Sequence, residues 1–453
     1  MRSINPATGA VIEEYEEHDH EAVTARIGVA HDRWAEWRRV PFEQRAQLMH
    51  AAADVLIERL EPLAEMMTME MGKTISAARA EVEKCAWGCR YYADNAERIL
   101  ADHPIETERS ESFVHHEPLG VVLAVMPWNF PLWQVLRFAA PALMAGNVAL
   151  LKHASNVSGT ALGIEDLFDR AGFPQGCFST LLIPGDRVAE VIEDDRVAAV
   201  TLTGSGPAGS AVASRAGGLI KKTVLELGGS DASVILDDAD LDLAADNCAL
   251  GRMINNGQSC IAAKRFVVVD AVHDEWLDKF TARMSEYQMG DPMADETNLG
   301  PQARPDLRDE LHDQVMRSVE AGAKILIGGE VPDDPGAWYP ATILTDVGPE
   351  MPAYDEELFG PVASVIRVAD EEEAIRVAND TEFGLGAAVY TRDIDKGRDI
   401  AATRLRAGSC FVNTIVGSDP RLPFGGVKKS GYGRELSEQG IKEFVNQKTV
   451  VVA

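Results

Sequence analysis

Apolar positions recur at three- and four-residue spacing through Trp34, Trp37 and Val40, then through Leu48, Ala52, Val55 and Leu56. That period predicts helices over residues 21–101, with the tryptophans and methionines of the segment packed inside. The pattern changes at 103–119. His103-Pro104-Ile105-Glu106 and Phe113-Val114-His115-His116 read as two short extended segments about a charged turn. Adjacent residues of a strand point to opposite faces, so His115 and His116 read as surface residues and not as a metal pair.

From Gly120 onward, apolar runs alternate with helical patterns. Gly120–Val125, Val148–Leu151, Phe178–Ile183 and Ala198–Leu202 read as buried strands. Helices are expected after Pro131 and over 157–171. The alternation resumes with a strand at 265–269, a helix at 273–287, a helix at 305–321 and a strand at 324–327. Strands at 362–368 and 386–390 follow, each leading into a helix, at 370–379 and 393–405. Alternation of this kind predicts α/β architecture, with parallel sheets covered by helices. No Pro/Gly/Ser linker separates the two halves, yet each has its own apolar pattern, so two cores are expected.

Composition narrows the class. The chain has 453 residues, 46% of them hydrophobic, enough for more than one core. No apolar run reaches the length of a membrane span, and Met1 to Glu17 lacks the pattern of a secretory signal. Six cysteines in such a length predict free thiols in a reducing, cytoplasmic setting. The formal net charge is −29, a field that repels nucleic acid and anionic membranes. It suits an acidic cytoplasmic protein, and in particular one from a salt-rich cytoplasm, where screening relieves self-repulsion.

Three stretches could carry chemistry. Asn255-Asn256-Gly257-Gln258-Ser259-Cys260 puts a thiol after a glycine-bearing polar turn, whose N–H groups are expected to favour the thiolate. Gly204-Ser205-Gly206-Pro207-Ala208-Gly209 fits G-x-G-x-x-G between a strand and a helix, the context in which glycines hold a pyrophosphate. Glu226, in Leu225-Glu226-Leu227-Gly228-Gly229, lies about where such a fold places its ribose acid. Flanking leucines would bury it and raise its pKa, which also suits a general base. Cys85 and Cys89 share a helix face, but no partner pair with zinc spacing follows, so no metal site is expected.

Taken together, these stretches resemble the aldehyde dehydrogenase superfamily. Leu225–Gly229 and Gly257–Cys260 look like its two active-site signatures. Pro127-Trp128-Asn129-Phe130-Pro131, Thr203-Gly204-Ser205, Glu357-Leu358-Phe359-Gly360-Pro361 and Pro423-Phe424-Gly425-Gly426 with Ser430-Gly431 match further motifs in family order. The chain most resembles the succinate-semialdehyde dehydrogenase branch. The resemblance implies a Rossmann-like nucleotide-binding domain (1–98 and 120–228), a catalytic domain (229–428) and a small bridging β-element (99–119 and 429–453) that joins subunits into a homodimer or homotetramer.

It also implies roles. Cys260 is the nucleophile, Glu226 the base that activates water, and Asn129 an oxyanion donor alongside the Cys260 N–H. Trp128, Lys152, Ser155, Gly204, Ser205, Glu357 and Phe359 would hold the cofactor, NADP or NAD. Members that prefer NAD often carry a glutamate where this chain has Ser155, so NADP is expected to be accepted, with His153 adding partial positive charge. Arg137 and Ser418 match the branch's carboxylate-binding residues. Ile254 replaces a second arginine found in some members, and Ala262 stands where some carry a second cysteine. The alternatives are a dehydrogenase for another small aldehyde and a non-catalytic nucleotide-binding protein on the same fold. A CoA-acylating relative fits less well, because Glu226 is present to make water the acceptor.

Overall fold

The computed structural model describes the whole chain, Met1–Ala453. Four helices precede the first buried strand: His20–Trp37, Phe42–Glu58, Leu60–Met71 and Ile75–Ile99. The last is capped by the Thr74 hydroxyl, which accepts from the Ala77 N–H, and it buries Ala78, Val82, Cys85, Ala86, Cys89 and Ala93 along one face. Cys85 and Cys89 are fully buried, and burial raises both thiols, Cys89 to about 12. They pack as small apolar residues. An N-terminal hairpin, Arg2–Ile4 with Val11–Glu14, lies outside what the periodicity predicts. Its Ser3 hydroxyl reaches the buried carboxylate of Glu70.

Six strands form the first sheet, in the order Gly431–Tyr432, Lys222–Glu226, Val197–Thr203, Val121–Met126, Val148–His153, Phe178–Thr180. All are parallel except Gly431–Tyr432. From Val121–Met126 the chain moves outward through two strands. It then returns to the other side of Val121–Met126 to lay down Val197–Thr203. The strand order therefore reverses between these two neighbours, and ligands of open α/β sheets bind where the order reverses, beyond the C-terminal strand ends.

The second sheet has seven strands, in the order Lys324–Ile327, Thr342–Thr345, Val362–Val368, Arg265–Val269, Ala232–Ile235, Gly386–Tyr390, Ser409–Val412. Only Lys324–Ile327 runs antiparallel, as a largely exposed edge. Val234, Val267 and Val269 face one apolar layer while Ile235, Phe266 and Val268 face the other. Burial on both faces explains the unbroken apolar runs. The helix expected over 393–405 is two pieces, Ile394–Asp399 and a wider turn at Ile400–Arg404.

A third sheet pairs Val445–Val452 with Glu111–Pro118 and His103–Pro104, all antiparallel. It unites the two segments expected to bridge. One boundary needs correction: residues 429–453 are not all part of this element, because Gly431–Tyr432 hydrogen-bonds to Lys222–Glu226 and extends the first sheet. No helix is long and apolar enough to cross a membrane.

Candidate active site

The loops that meet between the two sheets come from complementary edges. The first sheet offers its C-terminal ends: Pro127–Asn129 after one strand and Gly204–Ser205 after its neighbour. The second offers segments that enter its strands: Gly228–Gly229 before Ala232–Ile235, Cys260 before Arg265–Val269, and Glu357–Phe359 before Val362–Val368. Two cavities lie between them.

The first cavity, of about 350 Å³, is lined by Trp128, Asn129, Thr203, Gly204, Ser205, Gly228, Cys260, Glu357 and Phe359, among others. It sits where the strand order reverses. The Trp128 and Phe359 rings meet edge to face, 5.7 Å apart at 88°. Lys152 and Ser155 lie outside this lining, at the end of the adjacent strand and just beyond it. Lys152 is half-buried, which lowers its pKa, and no carboxylate offsets that. An ammonium without a partner, an open helix start at Gly206–Gly218 and a flat aromatic wall fit a dinucleotide phosphate ester. His153 does not contribute charge as expected. It is buried and held near a pKa of about 4. Its Nε2–H donates to the Pro131 carbonyl at 2.9 Å and its Nδ1 accepts from the Ala154 N–H at 2.9 Å.

The second cavity, of about 340 Å³, is lined by Phe130, Trp133, Arg137, Ile254, Ile261, Ile415, Val416, Ser418 and Phe424, with Lys84 and Glu81. It is mostly apolar. Only Cys260 and Gln134 border both cavities. Gln134 is buried and its Oε1 has no donor, a feature that nothing in its sequence setting signals.

The loop that carries Cys260 is built from its sequence. Asn255 and Asn256 take left-handed conformations, φ 55° and 57°, which asparagine tolerates better than most residues. Gly257 follows at φ 74°, and a Cβ there would lie 2.3 Å from the Gly360 carbonyl carbon. The Asn side chains then stitch the loop in place. Asn255 Nδ2 donates to the Asn129 carbonyl at 2.7 Å, and Asn256 Nδ2 donates to the Gly72 carbonyl at 2.9 Å. Lys264 donates to the carbonyls of Ser259, Cys260 and Ala262, and pairs with Glu357 at 3.4 Å. Glu357 also accepts from the Gly229 N–H at 3.0 Å.

Burial opposes the pull toward the thiolate that the turn is expected to exert on Cys260. Burial raises the thiol to about 12, although Arg137 and Lys264 act in the opposite direction. Donors for a developing oxyanion are present. Asn129 Nδ2 spends one of its two N–H groups on the Gln258 carbonyl, at 3.0 Å. The Cys260 N–H has no acceptor in the chain.

Glu226 is buried as its leucines predict, and burial pushes its carboxyl well above the usual range, with Glu435 adding to the rise. It lines neither cavity. Its side chain is turned back beside Gly425, where a Cβ would come within 2.7 Å of Oε1, and both oxygens lack partners. Arg137 does line the second cavity, but it forms a buried ion pair with Glu435 and donates to Thr203 Oγ1 at 3.3 Å. Arg252, near the position of the missing second arginine, is fully buried and bonds only backbone carbonyls, so it is structural. Glu435 and Lys264 escape sequence reasoning because each reads as a charged residue flanking an element.

A family model described as the aldehyde dehydrogenase family matches residues 1–450. A probable succinate-semialdehyde dehydrogenase [NADP(+)] of Synechocystis sp. is 52% identical over 453 residues, covering 100% of both chains. Succinate-semialdehyde dehydrogenase [NADP(+)] 1 of Mycobacterium bovis is 52% identical over 456 residues, again covering 100% of both. The crystal structure of succinic semialdehyde dehydrogenase from Streptococcus pyogenes in complex with NADP+ is 38% identical, with a TM-score of 0.97 over 100% of this chain and 99% of that one. This chain belongs to the aldehyde dehydrogenase family.

Proposed function

We propose that the chain oxidises succinate semialdehyde to succinate with NADP+, through a thioester on Cys260. The observation that carries this reading is the place of Cys260, at the join of a cavity that fits a dinucleotide and a small, mostly apolar cavity with cations in its wall. The relatives named above, with their printed substrate and cofactor, support it.

The chemistry follows from the residues. Cys260 gives up its proton to solvent and attacks the carbonyl carbon, forming a carbon–sulfur bond as the carbonyl π pair moves onto oxygen. The negative charge on oxygen is met by the free N–H of Asn129 and by the Cys260 N–H. Trp128, Lys152, Ser155, Gly204, Ser205, Glu357 and Phe359 would hold NADP+, which when bound would supply the acceptor for the hydride that leaves this carbon. A thioester then remains on Cys260. Glu226 has no hydrogen bond to hold it inward, so rotation about its side-chain bonds brings the carboxylate out beside the thioester. There it takes a proton from the attacking water as a general base. Cleavage of the carbon–sulfur bond releases the acid, and the proton that Glu226 took from water passes to the departing sulfur and restores the thiol.

The chain is also read as a cytoplasmic homodimer or homotetramer. The outer edge of Val445–Val452 has no strand partner within the chain and carries the exposed Val451 and Val452, which supports self-association there. The experiment is direct. Purified protein is given NADP+ or NAD+ with succinate semialdehyde or butanal, and reduced cofactor is followed by absorbance. The fastest turnover is expected with NADP+ and succinate semialdehyde. Equal rates for the two aldehydes would remove the substrate assignment and leave the aldehyde dehydrogenase chemistry in place.

A further inference from the structure

Two buried charges take no part in the chemistry described above. Lys73 and Glu81 form an ion pair in which both side chains are fully buried. Such a pair is weak support for stability, because well-packed apolar residues of similar volume do as well. Its geometry points to another use. Glu81 Oε1 accepts from the N–H groups of Leu132 and Trp133, at 2.9 and 2.8 Å. These groups open the helix Trp133–Ala145, whose N-cap residue, Leu132, has no side chain that accepts a hydrogen bond. Glu81 therefore caps this helix from another one, Ile75–Ile99. The capped end directly follows residues 127–131, the segment that carries Asn129. Lys73 touches the same segment, 4.4 Å from the centre of the Phe130 ring.

The residue before Lys73 holds the other half of the site. The Gly72 carbonyl accepts from Asn256 Nδ2 at 2.9 Å, and Asn256 belongs to the loop that carries Cys260. The two loops also meet directly. Asn255 Nδ2 donates to the Asn129 carbonyl at 2.7 Å, and Asn129 Nδ2 donates to the Gln258 carbonyl at 3.0 Å. The turn at 72–73 thus reaches both loops, and with them both oxyanion donors, the Asn129 amide and the Cys260 N–H.

We propose that Lys73 and Glu81 are positioning residues, which hold the Asn129 loop in register with the Cys260 loop so that the two oxyanion donors converge on one point. This role rests on the thioester reading above and extends it to residues whose charges are spent on the protein itself. Donors stabilise an oxyanion only where its charge develops, and a misplacement of about 1 Å costs on the order of 100-fold in rate. Apolar residues at 73 and 81 would fill the space but leave the two N–H groups without an acceptor.

The test compares two double variants. Lys73→Met/Glu81→Leu removes both charges and the acceptor. Lys73→Met/Glu81→Gln removes the charges and keeps an oxygen for the two N–H groups. Stopped-flow NADPH formation reads the first turnover, with whichever of succinate semialdehyde and butanal the unaltered enzyme turns over faster, so the choice of substrate does not enter. Titration of protein fluorescence reads NADP+ affinity. The Leu variant is expected to lose about 100-fold in first-turnover rate at unchanged NADP+ affinity, and the Gln variant to recover most of that loss. Equal rates in the two double variants, or a loss of NADP+ affinity that matches the loss of rate, would overturn the positioning role. Asn256→Gly tolerates the left-handed backbone but gives up the contact to Gly72, so it should also slow the first turnover, whether or not the Leu variant folds. An unchanged rate there overturns the role as well. Asn129→Ala is measured alongside. Full first-turnover rate in Asn129→Ala would remove the oxyanion reading, and the positioning role with it. A slowed Asn129→Ala beside unslowed double variants overturns the positioning role alone.

Discussion

Arg137 and Glu435 form an ion pair whose side chains are 2% and 4% exposed. Arg137 lies one helical turn beyond Trp133, so its guanidinium reaches both the cavity wall and this acid, and it stacks over Phe424 at 4.8 Å. It lowers the pKa of Cys260 and of Glu226, against the burial that raises both. Under the mechanism proposed above, Arg137 thus favours the deprotonated forms of both groups, while Glu435 opposes it at Glu226.

Arg137→Met should therefore impair succinate semialdehyde and butanal by similar factors. Without the guanidinium both proton-losing groups shift upward, so the rising limb of the pH–rate profile should move to higher pH. Leaving Glu435 without its partner should also cost about 3 to 5 kcal/mol of stability, the usual penalty for breaking a buried pair. Urea unfolding and a pH profile with both aldehydes check this. A loss confined to succinate semialdehyde, with an unmoved profile, would show that Arg137 touches the substrate carboxylate.

The resting thiol should behave as a weak acid. With Cys260 raised to about 12, the thiolate fraction rises in step with hydroxide across the neutral range. Alkylation of Cys260 by iodoacetamide in the free enzyme should accelerate about tenfold per pH unit between roughly pH 7 and 9. A plateau below pH 9 would mean that the loop stabilises the thiolate after all.

Glu226→Gln should separate the two halves of the reaction. A rapid first turnover of NADPH is expected, followed by a steady rate at least about 100-fold slower, the usual contribution of a general base. The substitution also has a stability signature. Burial raises the folded-state pKa of Glu226 above its unfolded value, so the native state favours the protonated form. This group then works against folding as pH rises past the ordinary carboxylate range toward its raised folded value. The melting temperature of Glu226→Gln should exceed that of the parent at pH 8 by more than it does at pH 4. Equal differences at both pH values would show that the carboxyl ionises as easily folded as unfolded.

Ser155→Glu should favour NAD. Ser155 is exposed at the start of a short turn, three residues after Lys152. A carboxylate there would repel the 2′-phosphate, shifting the NADP/NAD ratio of kcat/KM by about 10- to 100-fold. An unaltered ratio would place the ribose elsewhere.

Much of this was legible in the sequence, for reasons that particular residues make plain. The runs at 121–126 and 266–269 are apolar without interruption because both sheet faces are covered. Asn255-Asn256-Gly257 marked a turn because those residues tolerate left-handed backbone. Less legible were the short strands Ala232–Ile235 and Ser409–Val412 and the hairpin of residues 2–14, which are too brief to set up a period. The electrostatics were read only in part. Leucines beside Glu226 announced its burial, but nothing local announced that Glu435 would face Arg137, since some three hundred residues separate them. The same holds for Lys84 and Ser418, which meet across 334 positions. His153 misled because a histidine near a phosphate site reads as a cation until its two carbonyl and amide neighbours are seen.

The most direct measurement looks for the thioester itself. Glu226→Gln enzyme is mixed with NADP+ and succinate semialdehyde, quenched in acid within the first turnover, digested and mass-analysed. A succinyl adduct is expected on the peptide that carries Cys260, in an amount that matches the NADPH formed in the burst, and absent when NADP+ is omitted. An NADPH burst with no adduct on Cys260, or with the adduct on another cysteine, would contradict the route proposed here.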